Sequence, residues 1–300
     1  MAEAAFEPAG FMGSQIFGLP VNRETLFSNH KNVYRKRIEK RQRKLIVKIS
    51  FLKPFLKSGE QIILITTGYS PLASAAQYLT GFLFVYLKRS LFVFTNYRII
   101  HVPTTSSYGY KNSIAQVAYA GCQSIELKRG NLIAQFAGAG KKIVKFAAIA
   151  LPERKKIRAL LKTKLPHAGT KVQLAGRIHL CPRCTGELVE GKYVCEKCRL
   201  KFKSKVVAAI SSIIFPGGGY FYIRHYLLGF LDALVELVLL ALIVYTANDI
   251  RRHIPVSPFH LTMIPLFIYI KIATLVHSNH FINEFIPKGR NIKPRKISGQ

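Results

Sequence analysis

Two hydrophobic patterns divide the chain. Over 59–165, short β-rich runs alternate with turn residues, whereas over 206–247 apolar residues follow one another almost without a break. In 226–247, Leu, Val, Ile and Phe occupy every side of a helix, leaving no polar face for water. At about 1.5 Å per residue the segment is long enough to cross a hydrocarbon core of roughly 30 Å. A membrane-crossing helix is expected, with burial in a soluble core as the alternative.

Asp232 and Glu236 interrupt this segment near its middle, one turn apart on one face. The thirteen Leu, Ile, Val and Phe residues of 226–247 favour insertion by roughly 4 to 8 kcal/mol, and two central carboxylates oppose it by up to about 3 kcal/mol each. These acids must therefore be paired, protonated or turned toward protein. Lys271, in the next apolar stretch 259–276, is the candidate partner, with Arg224 and His225 as neighbours at the turn. A structural ion pair is the simpler reading, and a proton or ion path the other. Upstream, the apolar run 206–214 meets Phe215-Pro216-Gly217-Gly218-Gly219, which must interrupt a helix, so 206–222 is expected as a re-entrant or hairpin arm.

The β-rich runs fall at 62–67, 82–87, 91–95, 98–102, 124–128, 132–136 and 143–146. A helix follows, with Pro152 in its first turn, Glu153 beside it and an apolar face of Ile157, Leu160 and Leu161; it ends before Pro166. The insertion 69–86 is more apolar than such strands require and is expected to pack against them. Ahead of the strands, 31–48 carries nine basic residues and one acid, with Tyr34, Ile38, Leu45, Ile49 and Leu52 at helical spacing. This basic amphipathic helix either lies on an anionic leaflet through Arg35, Lys36, Arg37, Lys40, Arg41, Arg43 and Lys44, or packs on the neighbouring domain by its apolar stripe.

Charge extends that picture to the whole chain. There are 45 Lys and Arg against 14 Asp and Glu, a net +31, which calls for an anionic neighbour. The apolar block puts membrane lipids and their anionic headgroups ahead of nucleic acid. The first twenty or so residues lack a basic region followed by an apolar one, so no signal peptide is read there. Basic residues beside the apolar block (Arg199, Lys201, Lys203, Lys205) and in the tail (Lys288, Arg290, Lys293, Arg295, Lys296) place both flanks in the cytoplasm. Two crossings, 226–247 outward and 259–277 back, satisfy both flanks, while Arg251 and Arg252 keep three open. The expected location is the cytoplasmic (inner) membrane, with the N-terminal two-thirds in the cytoplasm.

Cys181-Pro-Arg-Cys184 and Cys195-Glu-Lys-Cys198 are two C-x-x-C pairs ten residues apart. Four thiolates in this pattern close a tetrahedral Zn²⁺ site with Zn–S of about 2.3 Å, and no position is left for a catalytic water. A structural zinc ribbon is expected. Disulfides are disfavoured on the cytoplasmic side, and a redox role by the presence of two pairs without a βαβ context. Cys122 reads as a small buried hydrophobe. The Arg199-to-Lys205 flank suits either a phosphate backbone or a membrane anchor, and anchor is preferred because it abuts the apolar block. No P-loop, nucleophile elbow or H-E-x-x-H motif is present, so nothing argues for an enzyme.

Two resemblances follow from these residues. The order of the strands, Gly59-Glu60 before the first of them, LFVFTNYRI at a hairpin, KKIVKF and the closing helix resemble a bacterial pleckstrin-homology-like (PH or GRAM type) domain. That resemblance implies a β-barrel plus helix that binds phosphoinositides or proteins, although no loop here matches an inositol-phosphate signature. FPGGGYFY with Leu228-Gly229-Phe230 resembles the turn of a family of small prokaryotic membrane domains, F-P-G-x-G-x-F-Y, and implies insertion.

The expected architecture is a multi-domain membrane protein with a PH-like domain, a zinc ribbon and an α-helical membrane anchor. In order it comprises a loosely ordered 1–28, the basic helix 29–58, the PH-like domain 59–165, a linker 166–177, the ribbon 178–203, the membrane region 204–286 and a basic tail 287–300. The expected function is a non-enzymatic adaptor or scaffold that meets anionic headgroups or a partner protein. The alternative is a small transport or ion-conducting protein using Asp232, Glu236 and Lys271.

Overall fold

The computed structural model describes residues 14–70, 88–136, 143–163, 176–253, 255, 258, 262–289 and 292. Its strands are β1 (Ser14–Ile16), β2 (Leu19–Val21), β3 (Ile62–Tyr69), β4 (Arg89–Thr95), β5 (Arg98–Pro103), β6 (Ile114–Ala118), β7 (Cys122–Lys128), β8 (Asn131–Phe136), β9 (Ile143–Phe146), β10 (Ile178–Leu180) and β11 (Glu187–Leu188). One sheet has eight strands in the order β1-β2-β3-β4-β5-β6-β10-β11, and a second has β7-β8-β9. A bridge between Tyr69 and Ala147 ties the end of β3 to the smaller sheet. Six of the seven expected runs form strands within two residues of their expected ends. The seventh, 82–87, lies outside the described residues, as does nearly all of the insertion 69–86.

Both faces of the central strands are covered, which is why their sequences are apolar without clean alternation. Ile65, Leu91, Val93, Ile100 and Val102 face the N-terminal elements. Leu64, Phe92, Phe94 and Ile99 face the smaller sheet and α3 (Arg154–Thr163), which adds Ile157 and Leu160. Successive side chains of a strand point to opposite faces, so two cores share one layer.

Residues 14–28, expected to be loosely ordered, instead form the β1-β2 hairpin and the short helix α1 (Arg23–Leu26). The physical reason is that Leu19, Val21 and Leu26 complete the first core and are at most 1% exposed. Lys156 of α3 reaches across to donate to the carbonyls of Thr25, Leu26 (3.2 Å) and Ser28 (2.7 Å), satisfying the end of α1. The basic helix is α2 (Lys36–Lys48). Its apolar stripe lies on the sheet, with Ile46 at 0% exposure. Gln42 donates to Ile65 O (2.8 Å) and accepts from Ile65 N (3.0 Å). The amide thereby occupies backbone groups on β3 beyond its single pairing with β2, Val21 with Ile62. Of the two readings for this helix, the structure contains the packed one, and its stripe is not free to enter lipid.

A buried ion pair pins the far end of the same sheet. Arg98 donates to both carboxylate oxygens of Glu60, at 2.9 and 2.8 Å, with side chains 4% and 0% exposed. Glu60→Leu strands the guanidinium and is expected to cost about 3–5 kcal/mol, whereas Glu60→Leu with Arg98→Met costs far less. Unfolding midpoints of the two variants check this.

The apolar third folds into α4 (Lys205–Ile214), α5 (Gly218–Tyr222), α6 (Tyr226–Arg251) and α7 (Met263–Ile282). Ten residues make α4 about 15 Å long, half a bilayer core, so it is an arm and not a crossing. Gly217 turns the chain at φ 64°, and a Cβ there would lie 2.1 Å from Gly229 O of α6. A Cβ on Gly219 would meet Ser212 Oγ at 2.1 Å. The glycines thus let the α4–α5 turn seat directly on α6 and α7.

Candidate functional site

The four cysteines converge. Their Sγ atoms all lie within 4.8 Å of one another, with Cys181–Cys198 and Cys184–Cys195 at 3.5 Å. Tetrahedral thiolate ligation at about 2.3 Å requires S···S of about 3.8 Å, so the cluster fits a metal ion with little adjustment. The two knuckles are built alike. Cys181 N donates to Gly186 O and Thr185 N to Cys181 O, as Cys195 N does to Leu200 O and Arg199 N to Cys195 O. Thr185 and Arg199 both take positive φ, 59° and 58°. Each turn thereby offers its inner N–H groups to sulfur, the arrangement that favours thiolates. Burial first, and then the neighbouring cysteines, hold the thiols of Cys181 and Cys184 above their ordinary value, so a bound cation is what would displace their protons.

The ribbon is not a free-standing spacer. β10 pairs antiparallel with β6, continuing the large sheet through His179↔Ala115. On its other side, Phe202 bridges Pro287, Lys203 N donates to Ile286 O (2.9 Å) and Lys288 N to Lys201 O (3.0 Å). Phe285 packs on His179 and Phe202 at 4.8 and 5.6 Å. Glu284 is buried between Arg177 Nη1 (3.0 Å) and His179 Nε2 (3.6 Å). Burial opposes its charge, but Arg177 and His179 hold its carboxyl well below the usual range. The chain entering the apolar region and the chain leaving it are thus zipped together on the four-cysteine module. The expected boundaries at 178 and 287 missed these connections, because three-residue pairings leave almost no periodic signal.

Within the apolar region, Lys271 Nζ lies 2.7 Å from Glu236 Oε2, whose side chain is 1% exposed. Lys271 also donates to Ser212 O at 2.9 Å, at the C-terminal end of α4. Asp232 accepts from Thr274 Oγ1 at 2.8 Å, so α6 and α7 run antiparallel, 232 beside 274 and 236 beside 271. Arg224 and His225 lie apart from this pair: Arg224 donates to the carbonyls of Lys288 and Gly289, and the His225 ring sits 4.6 Å from Phe281. Thr274 is the partner that sequence reasoning overlooked; its helical offset from Lys271 was the available signal.

The seven α2 cations divide. Arg41 bonds buried Glu153 at 2.5 Å, and Arg43 pairs with Glu39 at 2.7 Å while lying over the Phe27 ring. Arg35, Lys36, Arg37, Lys40 and Lys44 remain exposed. Among the described residues one helix, α6, is long and apolar enough to cross a membrane, and only 17% of its most apolar stretch is buried. Searches against family models, curated proteins and solved structures return no match.

Proposed function

We propose that this chain is a non-enzymatic, membrane-anchored adaptor in which a zinc ribbon joins a cytoplasmic, PH-like sheet region to a helical anchor. The observation that carries the reading is the bare apolar surface of α6. Leu227, Phe230, Leu234, Leu237 and Val244 are all at least half exposed, while Asp232 and Glu236 in its apolar stretch are engaged by α7. Apolar surface of this extent is stable only against lipid or another apolar partner. Four cysteine donors, soft and tetrahedral, select zinc among common metals. The exposed cations of α2 supply a surface for anionic headgroups or an acidic protein, acting electrostatically without insertion.

The test uses the full-length chain in nanodiscs of phosphatidylcholine alone or with phosphatidylglycerol. Amide exchange over 36–48 is expected to slow only in the anionic discs, and the protection should vanish at high salt and in a Lys36→Gln, Lys40→Gln, Lys44→Gln variant. Equal exchange in both discs would remove headgroup recognition by this helix.

A further inference from the structure

A cavity of about 270 Å³ lies where the sheet meets the membrane helices. Its walls come from the end of β3, the starts of β4 and of the β6 approach, the α5–α6 turn and the end of α7. Four cations line it, Lys88, Arg89, Lys111 and Arg224, against one carboxylate, Glu284. That carboxylate is already committed, since Arg177 and His179 hold it.

Lys88 is only 4% exposed, and its Nζ has no hydrogen-bond partner among the described residues. Its ammonium lies 5.7 Å from the centre of the Phe281 ring, and that of Lys111 lies 5.8 Å from the same ring. Two like charges are thus gathered on one aromatic in a largely desolvated space. Burial lowers Lys88 to about 7 and Lys111 to about 8, so an anion held between them would favour their charged forms. An unpaired buried ammonium is costly unless something returns that energy. Pro103, Ile223 and Ile286 give the cavity an apolar side, while Ser70, Thr105, Asn112, Ser113, His225 and His280 add polar groups to its lining.

We infer that this cavity is a binding site for a phosphate group, either on an anionic phospholipid headgroup or on a small soluble phosphate. The volume suits one headgroup and not a drug-sized ligand. Lys88 and Lys111 bind the phosphate oxygens, Arg224 and Arg89 set the rim, and the apolar wall takes the glycerol side of a lipid. The lipid form of this inference rests on the membrane-anchored reading; the soluble form does not.

Full-length protein, purified in a neutral detergent, is examined by native mass spectrometry with phosphatidylglycerol or phosphatidylcholine. In parallel, its thermal midpoint is followed with added inorganic phosphate. One phosphatidylglycerol retained per chain, with phosphatidylcholine not retained, assigns the lipid source. A midpoint raised by phosphate without lipid retention assigns the soluble one. In either case Lys88→Met and Lys111→Gln are expected to weaken binding about 10- to 100-fold. Lys88→Met should also leave the unliganded midpoint unchanged or higher, because it removes an uncompensated charge; this separates loss of a ligand from loss of fold. The triple α2 substitution leaves retention unaltered, so failure of headgroup recognition by α2 is distinguishable from failure here. Absence of both kinds of binding, or binding indifferent to Lys88 and Lys111, overturns the site.

Discussion

Cys181→Ser, or removal of the metal by a chelator, is expected to unfold 178–203 and to loosen the anchor from the sheet. The ribbon's own core is small: Leu188 and Phe202, with Phe285 borrowed from the far end of the chain, packed around the cysteines. So little apolar area cannot offset the chain entropy of some twenty-five residues, and metal binding, about 10–16 kcal/mol in comparable modules, must supply the difference. The damage extends beyond the ribbon because β10 is hydrogen-bonded to β6 and 201–203 to 286–288. Amide exchange reads this directly: 178–203 and 286–288 lose protection together, while β3, β4 and β5, with cores on both faces, keep theirs. The pH dependence has a fixed sign. Binding displaces thiol protons, so affinity falls as pH falls, and one equivalent of metal, zinc under the proposed reading, is expected to be released on acidification before the sheet unfolds. Protection at 181–198 that persists in the metal-free chain would contradict this account.

What the sequence disclosed, and what it hid, follows from the range of the interactions. The cysteines and their knuckles were readable because a C-x-x-C turn is closed by its own backbone within six residues. The strands of the central sheet were readable because both faces are buried and the apolar runs are therefore long. The hairpin 14–21 was not, since Ser14–Ile16 and Leu19–Val21 are three-residue strands whose stability derives from a core assembled some fifty residues later. The fate of α2 was left open for a related reason: the cationic face and apolar stripe suit a leaflet and a sheet equally, and Gln42 decides between them by meeting Ile65. Glu284, at the end of the apolar region, carried no sequence signal. Arg177 and His179 give it a place only once the chain has returned from α7.

Lys271→Met is expected to be the most damaging single change in the apolar region. It leaves the Glu236 carboxylate, 1% exposed, without its counter-charge, and it strips the C-terminal end of α4 of the donor that reaches Ser212 O. Breaking a buried pair from one side costs about 3–5 kcal/mol, a large share of the stability of a region built from the four helices α4 to α7. Lys271→Met with Glu236→Leu replaces both charges by apolar groups suited to lipid, and should recover most of the loss, as judged by resistance to proteolysis in nanodiscs. Asp232→Asn retains an acceptor for Thr274 and should be mild. The same three proteins decide between an ion pair that only holds helices together and one that carries ions. If the charges serve a path, the double variant will be stable yet lose all flux in reconstituted vesicles. A pair already closed at 2.7 Å, backed by a helix end, with its neighbour Asp232 satisfied by Thr274, has the geometry of a fastening, and the double variant is expected to match the wild type in every flux measured.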